Sequence, residues 1–260
     1  MPIHAYFQAL GYVGGFALAG WGLLLVGGGW ALGAWIALGI YACHLFLPGL
    51  GLAPWRGPRG AGRIALTFDD GPNGEATESV LEALARHRAR ATFFVVGESA
   101  AAQPELVQRI AAAGHEIGNH TMDHAIVAWR SPAEVCRQLA AAQAAIERAG
   151  APRPRWFRAP HGFKSPFLPA ALRRNGLRLV AWTRGVWDTD CPGVDAIVAR
   201  TIGERGERLS DGEILLLHDG ERGLDRGQTA SALDRILEAC RARGLQPVTL
   251  SELLDAPRAS

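Results

Sequence analysis

From Arg63 onward, apolar residues come in short runs with strand character, separated by longer stretches with a helical period. The runs are Ile64–Phe68, Ala91–Val96, Glu116–Asn119, Trp156–Arg158, Arg178–Trp182, Ile214–His218 and Pro247–Leu250. Between them, Thr77–His87 places Val80, Leu81 and Leu84 on one face, and Pro104–Ala113 runs up to Gly114. Ser131–Ala149, Leu168–Asn175, Val194–Glu204 and Thr229–Arg243 follow, stopping at or near Gly150, Gly176, Gly206 and Gly244. Ser131, Pro132 and Glu134 stand where an N-cap, a first-turn proline and the third residue of a capping box belong. Strand alternating with glycine-stopped helix is the grammar of βα units around a parallel sheet. A chain of about seven such units predicts a distorted (β/α) barrel, closed or nearly so.

Ahead of Arg56 the pattern is different. Met1 to Trp55 contains no Asp, Glu, Lys or Arg. Tyr6–Gly29 and Trp30–Leu52 are each long enough for a membrane-crossing helix, which takes about 20 residues, and Gly27-Gly28-Gly29 is a natural break between them. A cleaved signal peptide fits poorly, because there is no basic leader and the apolar stretch is too long. A buried soluble helix pair is the remaining alternative. The expected organisation is therefore two transmembrane helices over residues 1–55, a linker over 56–62, a catalytic domain over 63–254 and a tail over 255–260. Arg56, Arg59 and Arg63 follow the second span, so the positive-inside rule places the domain on the cytoplasmic face, with membrane lipid as a partner.

Net charge changes the picture only by exclusion. At +2, with no run of Lys or Arg interleaved with aromatics, the chain lacks the basic patch that nucleic acid requires. Cys43, Cys136, Cys191 and Cys240 show no paired spacing and read as free thiols.

The candidate chemistry sits where predicted strands end. Asp69 and Asp70 close the first run and are followed at once by Gly71-Pro72. Adjacent carboxylates repel unless something cationic lies beside them. His120 and His124, spaced i, i+4, can face one cation together. Arg158 and His218-Asp219 close two further runs. In a βα barrel such ends meet on one face, where residues distant in sequence converge. Singly, each has a plain structural reading: a solvated turn, surface histidines, a surface ion pair.

Together these pieces resemble the NodB-type polysaccharide deacetylases, carbohydrate esterase family 4. The matching motifs are Thr67-Phe-Asp-Asp-Gly-Pro72, His120-Thr-Met-Asp-His124, Arg158-Ala-Pro-His-Gly162 and Leu215-Leu-Leu-His-Asp219, in the family's order. The resemblance implies a distorted (β/α) barrel. It implies that Asp70, His120 and His124 hold a divalent metal, usually Zn2+. Asp69 would be the general base, Arg158 its partner and His218 the general acid. Leu216 would line a small pocket for the acetyl methyl, and the Pro160-His161-Gly162 backbone would face the oxyanion. Two departures stand out. His161 occupies a position that is usually aromatic, and the loop Gly185-Val-Trp-Asp-Thr-Asp-Cys191 has Trp187 before the acid instead of after it. Asp188 is the best match for a carboxylate supporting Arg158, with Asp190 second. The implied activity is metal-dependent removal of an N-acetyl group from an amino sugar of a glycan; the uncharged hairpin adds the expectation of a substrate near the bilayer, a lipid-linked saccharide. A deformylase or another non-peptide amide hydrolase of the same fold is an alternative. A membrane-anchored glycan-binding protein without catalysis is another.

Overall fold

The computed structural model describes residues 53–203, 207–220 and 227–255, together with Gly33, Trp35, Ile36, Leu38 and Gly39, which are helical. The expected transmembrane hairpin otherwise lies outside the described residues. Among the described residues no helix is long and apolar enough to cross a membrane.

Eight parallel strands form the sheet: β1 (Arg63–Asp69), β2 (Thr92–Val95), β3 (Glu116–Asn119), β4 (Trp156–Phe157), β5 (Arg178–Leu179), β6 (Arg184–Gly185), β7 (Ile214–His218) and β8 (Gln246–Pro247). Seven follow one another in the order β5-β4-β3-β2-β1-β7-β6, and β8 joins the start of β1. The helices, in chain order, are α1 (Gly74–Arg86), α2 (Gly97–Ala102), α3 (Pro104–Ala112), α4 (Pro132–Arg148), α5 (Leu168–Asn175), α6 (Val194–Ile202), α7 (Gly227–Ala242) and α8 (Leu250–Leu254). The expected βα alternation is present, and the all-parallel curved sheet fits the barrel that the sequence predicts.

Strand period positions the chemistry. In β1, Ile64, Leu66 and Phe68 pack outward with Val80, Leu84, Leu233 and Ile236 of α1 and α7. Ala65 points the other way, into an interior cluster with Phe94, Trp156, Val180 and Ile214. Successive side chains alternate, so Thr67 and Asp69 share the interior face with Ala65. The same alternation in β7 sends Leu215 and Leu217 to the helices and leaves Leu216 and His218 inside. Burial on both faces explains why these strands read as unbroken apolar runs.

Several local expectations were modified by tertiary context. β6 was not anticipated, since Arg184-Gly185 has no strand signature and is recruited by pairing with Leu215 and Leu216. Leu250 begins α8 instead of ending a strand, because Thr249 and Glu252 form a reciprocal capping box. At α4, Ser131 caps the helix, but Glu134 turns to Arg137 and so completes no box. Cys136, Cys191 and Cys240 are free thiols, as read.

The last residues of the expected anchor and the start of the expected linker are both seated on the domain. Pro54 and Trp55 offer their carbonyls to Ala181 N–H and Thr183 Oγ1 at 2.9 and 2.7 Å. Arg56 bridges antiparallel to Glu213, and Gly57 N–H reaches Gly212 at 2.7 Å. The strap thus lies along the stretch where the chain passes from β5 to β6.

Candidate active site

Register brings the strand ends to one level. Asp69 lies opposite His218 and Phe94, and Asn119 lies opposite Val95 and Phe157. His120 and Arg158, each one residue further on, therefore sit side by side above the barrel. The loops there are backbone-strained. Asp70, Thr121, His124 and His161 have φ of 74°, 67°, 59° and 56°, values uncommon outside glycine that cluster at functional sites.

Asp70, His120 and His124 present ligand atoms within 4.8 Å of one another. Both histidines turn Nε2 to the same Asp70 oxygen, at 3.2 and 3.0 Å. The His120 Nδ1–H donates to the Arg158 carbonyl at 2.8 Å, which fixes the ring's orientation and leaves Nε2 as the atom aimed into the site. His124 arrives on a turn. Thr121 Oγ1 accepts from Ala125 N–H, and Gln138 Oε1 accepts from the Met122 and Asp123 N–H groups. Burial opposes ionisation of Asp70, but hydrogen bonds to His120 and His124 prevail and hold its carboxyl well below the ordinary range. An ionised carboxylate and two imidazoles, whose Nε2 atoms donate to it here and would offer lone pairs once deprotonated, make a donor set that fits a divalent cation.

Asp69 borders that cluster through Oδ2, 3.8 Å from His120 Nε2, and turns Oδ1 to Arg158. It is 4 % exposed and accepts from Arg158 Nη1 at 2.8 Å. Arg158 is fully buried. Its Nη1 also reaches Thr67 Oγ1 at 2.7 Å, its Nη2 reaches the Ala181 carbonyl at 3.2 Å, and its guanidinium lies 4.2 Å over the Phe94 ring. A buried cation this constrained keeps the Asp69 carboxylate in one orientation.

The expectation for Asp188 is corrected. Its carboxylate contacts His218, not Arg158: Oδ1 lies 2.8 Å from His218 Nδ1, and Oδ2 accepts from His218 N–H and Thr229 Oγ1, each at 2.8 Å. The loop from β6 runs alongside β7, so Asp188 meets β7, while Arg158 finds its carboxylate in Asp69. With Nδ1–H committed to Asp188, His218 offers Nε2 to the site. Burial disfavours the imidazolium, but the Asp188 charge and hydrogen bond raise its pKa to about 9, with Asp70 and Asp69 adding to the pull. The group is raised above 6.5, so the His218–Asp188 pair stabilises the fold fully below that value and loses its contribution as pH climbs through about 9. A cation on Asp70 would weaken that pull, so the alkaline limb of a loaded enzyme falls at or below about 9. Asp188→Asn removes the anion and leaves the burial, so the limb should move below about 6.5 in the pH profile of kcat. A limb that stays put would detach His218 from the rate.

The remaining predicted residues occupy the rim. His161 is exposed, with its ring 4.8 Å from that of His124. Pro160 and Gly162 are buried beneath it. Leu216 is 9 % exposed. A Cβ on Gly185 would lie 3.8 Å from Leu216 and 3.7 Å from Trp182, so both side chains border Gly185. Trp187 is half-exposed beside Asp188, while Asp190 accepts nothing from Arg158 or His218.

Sequence reasoning gave no part to Thr77, Thr229 or Trp182, and none to Thr67 or Asp219 beyond their places in the quoted motifs. Asp219 is fully buried. It takes a 2.6 Å hydrogen bond from Thr77 on Oδ2, and its Oδ1 has no partner. Burial pushes its carboxyl up to about 7. Both of its oxygens press against Gly71, where a Cβ would come within 2.4 Å, and a Cβ on Gly220 would meet the Asp70 backbone at 2.1 Å. Asp219-Gly220 thus braces the Asp69–Gly71 turn, a role that only the close approach of two backbones reveals.

The polysaccharide deacetylase family matches residues 56–180. The chain is 40 % identical over 205 residues to the chitooligosaccharide deacetylase of Bradyrhizobium sp. (strain ANU 289), covering 75 % of this chain and 91 % of that protein. It is 35 % identical over 209 residues to a Bacillus cereus peptidoglycan-N-acetylglucosamine deacetylase, covering 78 % and 93 %. Among solved structures, the Bc1960 peptidoglycan N-acetylglucosamine deacetylase superposes with a TM-score of 0.73 at 30 % identity, covering 80 % of this chain and 95 % of that one.

Proposed function

The chain belongs to the polysaccharide deacetylase family, and on that premise we propose how its residues remove an acetyl group from an amino sugar of a glycan. The observation that carries the proposal is the flanking of one three-donor cluster by two differently supported groups. Asp69 is held by a buried arginine on one side, and His218 by a buried carboxylate on the other. Asp70, His120 and His124 would hold a divalent metal, with Zn2+ suited to two imidazoles and a carboxylate; bound there, it would polarise the acetyl carbonyl and acidify water.

The chain's own groups do the rest. Asp69 accepts the proton of the attacking water, and Arg158 keeps it oriented and ionised for that step. The tetrahedral oxyanion forms near the backbone at His161, in reach of its N–H. His218, protonated through its pairing with Asp188, delivers a proton to the departing nitrogen. Water's oxygen ends in acetate, and the nitrogen leaves as the free amine. Leu216 and Trp182, which both border Gly185, would flank the methyl, and a group larger than acetyl is disfavoured there.

The uncharged residues 1–52 make a membrane anchor the economical reading, with residues 53–62 as a fixed strap and the catalytic domain running to Leu254. An anchored enzyme meets substrates borne near the bilayer, so a lipid-linked N-acetyl amino sugar is the proposed native substrate, at the cytoplasmic face. Removing residues 1–52 while keeping Ala53–Trp55 should leave kcat/KM on soluble chitooligosaccharides within about twofold, since no catalytic group is touched. It should lower turnover of a vesicle-borne N-acetyl glycolipid by about tenfold or more, through lost effective concentration. Equal turnover of both substrates by the two forms would remove the lipid-linked reading.

A further inference from the structure

The uncharged segment joins the domain beside the catalytic loop and not at the base of the barrel. Ala53 is buried and shares a small cavity with Ala159, Gly162, Lys164, Ala181 and Trp182. The next residue, Pro54, accepts from Ala181, whose own carbonyl accepts from Arg158. From there the strap leads away, through Gly57 at Gly212, to the first residue of β1 at the opposite end of the barrel. The chain preceding Ala53 is therefore tethered beside the loop that carries His161.

The same rim carries the exposed apolar rings. Among the described residues from Ala53 onward, the large exposed hydrophobic side chains are Trp55, Trp129, Phe167 and Trp187. Trp129 is the most open, at 70 %. It lies between β3 and α4, Phe167 between β4 and α5, and Trp187 between β6 and α6. All three connections leave the C-terminal ends of strands, the side on which the site is built. The opposite end differs in kind. Arg63, Arg90, Arg155 and Arg178 there engage Glu252 and Asp255. Aromatic rings favour the membrane–water boundary, whereas paired charges belong in water.

We propose that the catalytic rim itself rests in the lipid–water interface, with Trp129 and Phe167 inserted among the headgroups and the site opening toward the bilayer surface. The occupant is a zwitterionic phospholipid surface, because the tether is uncharged and the exposed charges beside the rings are of mixed sign, Asp123 and Asp190 against Arg130. This rests on residues 1–52 being an anchor, and it adds an orientation that anchoring alone does not supply. A base-down domain would point the site at distant polymer, while a rim-down domain points it at sugars carried on lipid.

The test uses the full chain in phosphatidylcholine vesicles doped with a diazirine-bearing phosphatidylcholine, irradiated and mapped by peptide mass spectrometry. Adducts are expected within residues 1–52, 126–131 and 163–168, and none within 86–90 or 243–248. Adducts in 1–52 with none at the rim, or with labelling of the base, overturn the orientation and leave the anchor standing. An unlabelled 1–52 removes the anchor and the orientation with it. In parallel, the Trp129→Ser/Phe167→Ser double variant should lose about tenfold or more on a vesicle-borne N-acetyl glycolipid, from lost burial of two rings, and keep its kcat/KM on soluble chitooligosaccharide. Equal loss on both substrates would assign the rings to glycan stacking and overturn the proposal.

Discussion

Asp69→Asn should lower kcat for acetate release by about 10²–10⁴-fold, the usual contribution of a positioned general base, while metal content stays unchanged. The amide retains an oxygen where Arg158 Nη1 now donates at 2.8 Å, so the geometry of the pair is preserved. What it loses is the ability to take a proton. It also loses the charge that compensates a fully buried guanidinium. Breaking such a pair outright costs about 3–5 kcal/mol. The retained hydrogen bond places this variant at or below the lower end, so a fall in the thermal midpoint should accompany a folded, metal-loaded, inactive protein. Metal analysis, thermal unfolding and kcat on one sample separate the three effects. An active Asp69→Asn enzyme would mean that the base lies elsewhere.

His120→Ala should empty the metal site and abolish activity together. His120 contributes one of three donors, and its ring is already oriented by the 2.8 Å contact between Nδ1 and the Arg158 carbonyl. Even an outer-sphere partner of a metal is typically worth 10–100-fold in affinity or activity, and a ligand is worth more. Metal per chain should therefore drop from near one to near zero after dialysis, with activity falling by at least about 10²-fold. Asp70→Asn should do the same while leaving the Asp69–Arg158 pair intact. The contrast with Asp69→Asn is the informative part: adjacent acids, one variant losing metal and the other keeping it.

Neighbouring acids with separate duties are what period and turn chemistry produce here. Strand alternation sends Asp69 inward onto Arg158. Asp70 then leaves the strand at φ 74° and swings its carboxylate toward His120 and His124. The strand-end placement of Asp69, His120, Arg158 and His218 was legible because runs such as Ile214–His218 are apolar up to the polar residue that closes them. The partner of Asp188 was not legible. Which strand a loop carboxylate meets depends on β6 pairing with β7, and β6 is a two-residue strand with no signature of its own. The bracing by Asp219 and Gly220 was equally hidden, since it lies in the approach of one backbone to another. The pairing of His120 with His124 was legible in their spacing, but the turn that delivers it, held through Thr121 and Gln138, was not.

On the proposed mechanism, Asp70, His120 and His124 hold a metal required for hydrolysis of a sugar N-acetyl group. The most direct measurement is product release from N-acetylglucosamine oligomers by the purified full chain before chelation, after chelation and after Zn2+ is restored. The account predicts acetate and free amine in equal amounts, loss of both on chelation and recovery of both with the metal. Undiminished release after complete removal of metal would contradict it.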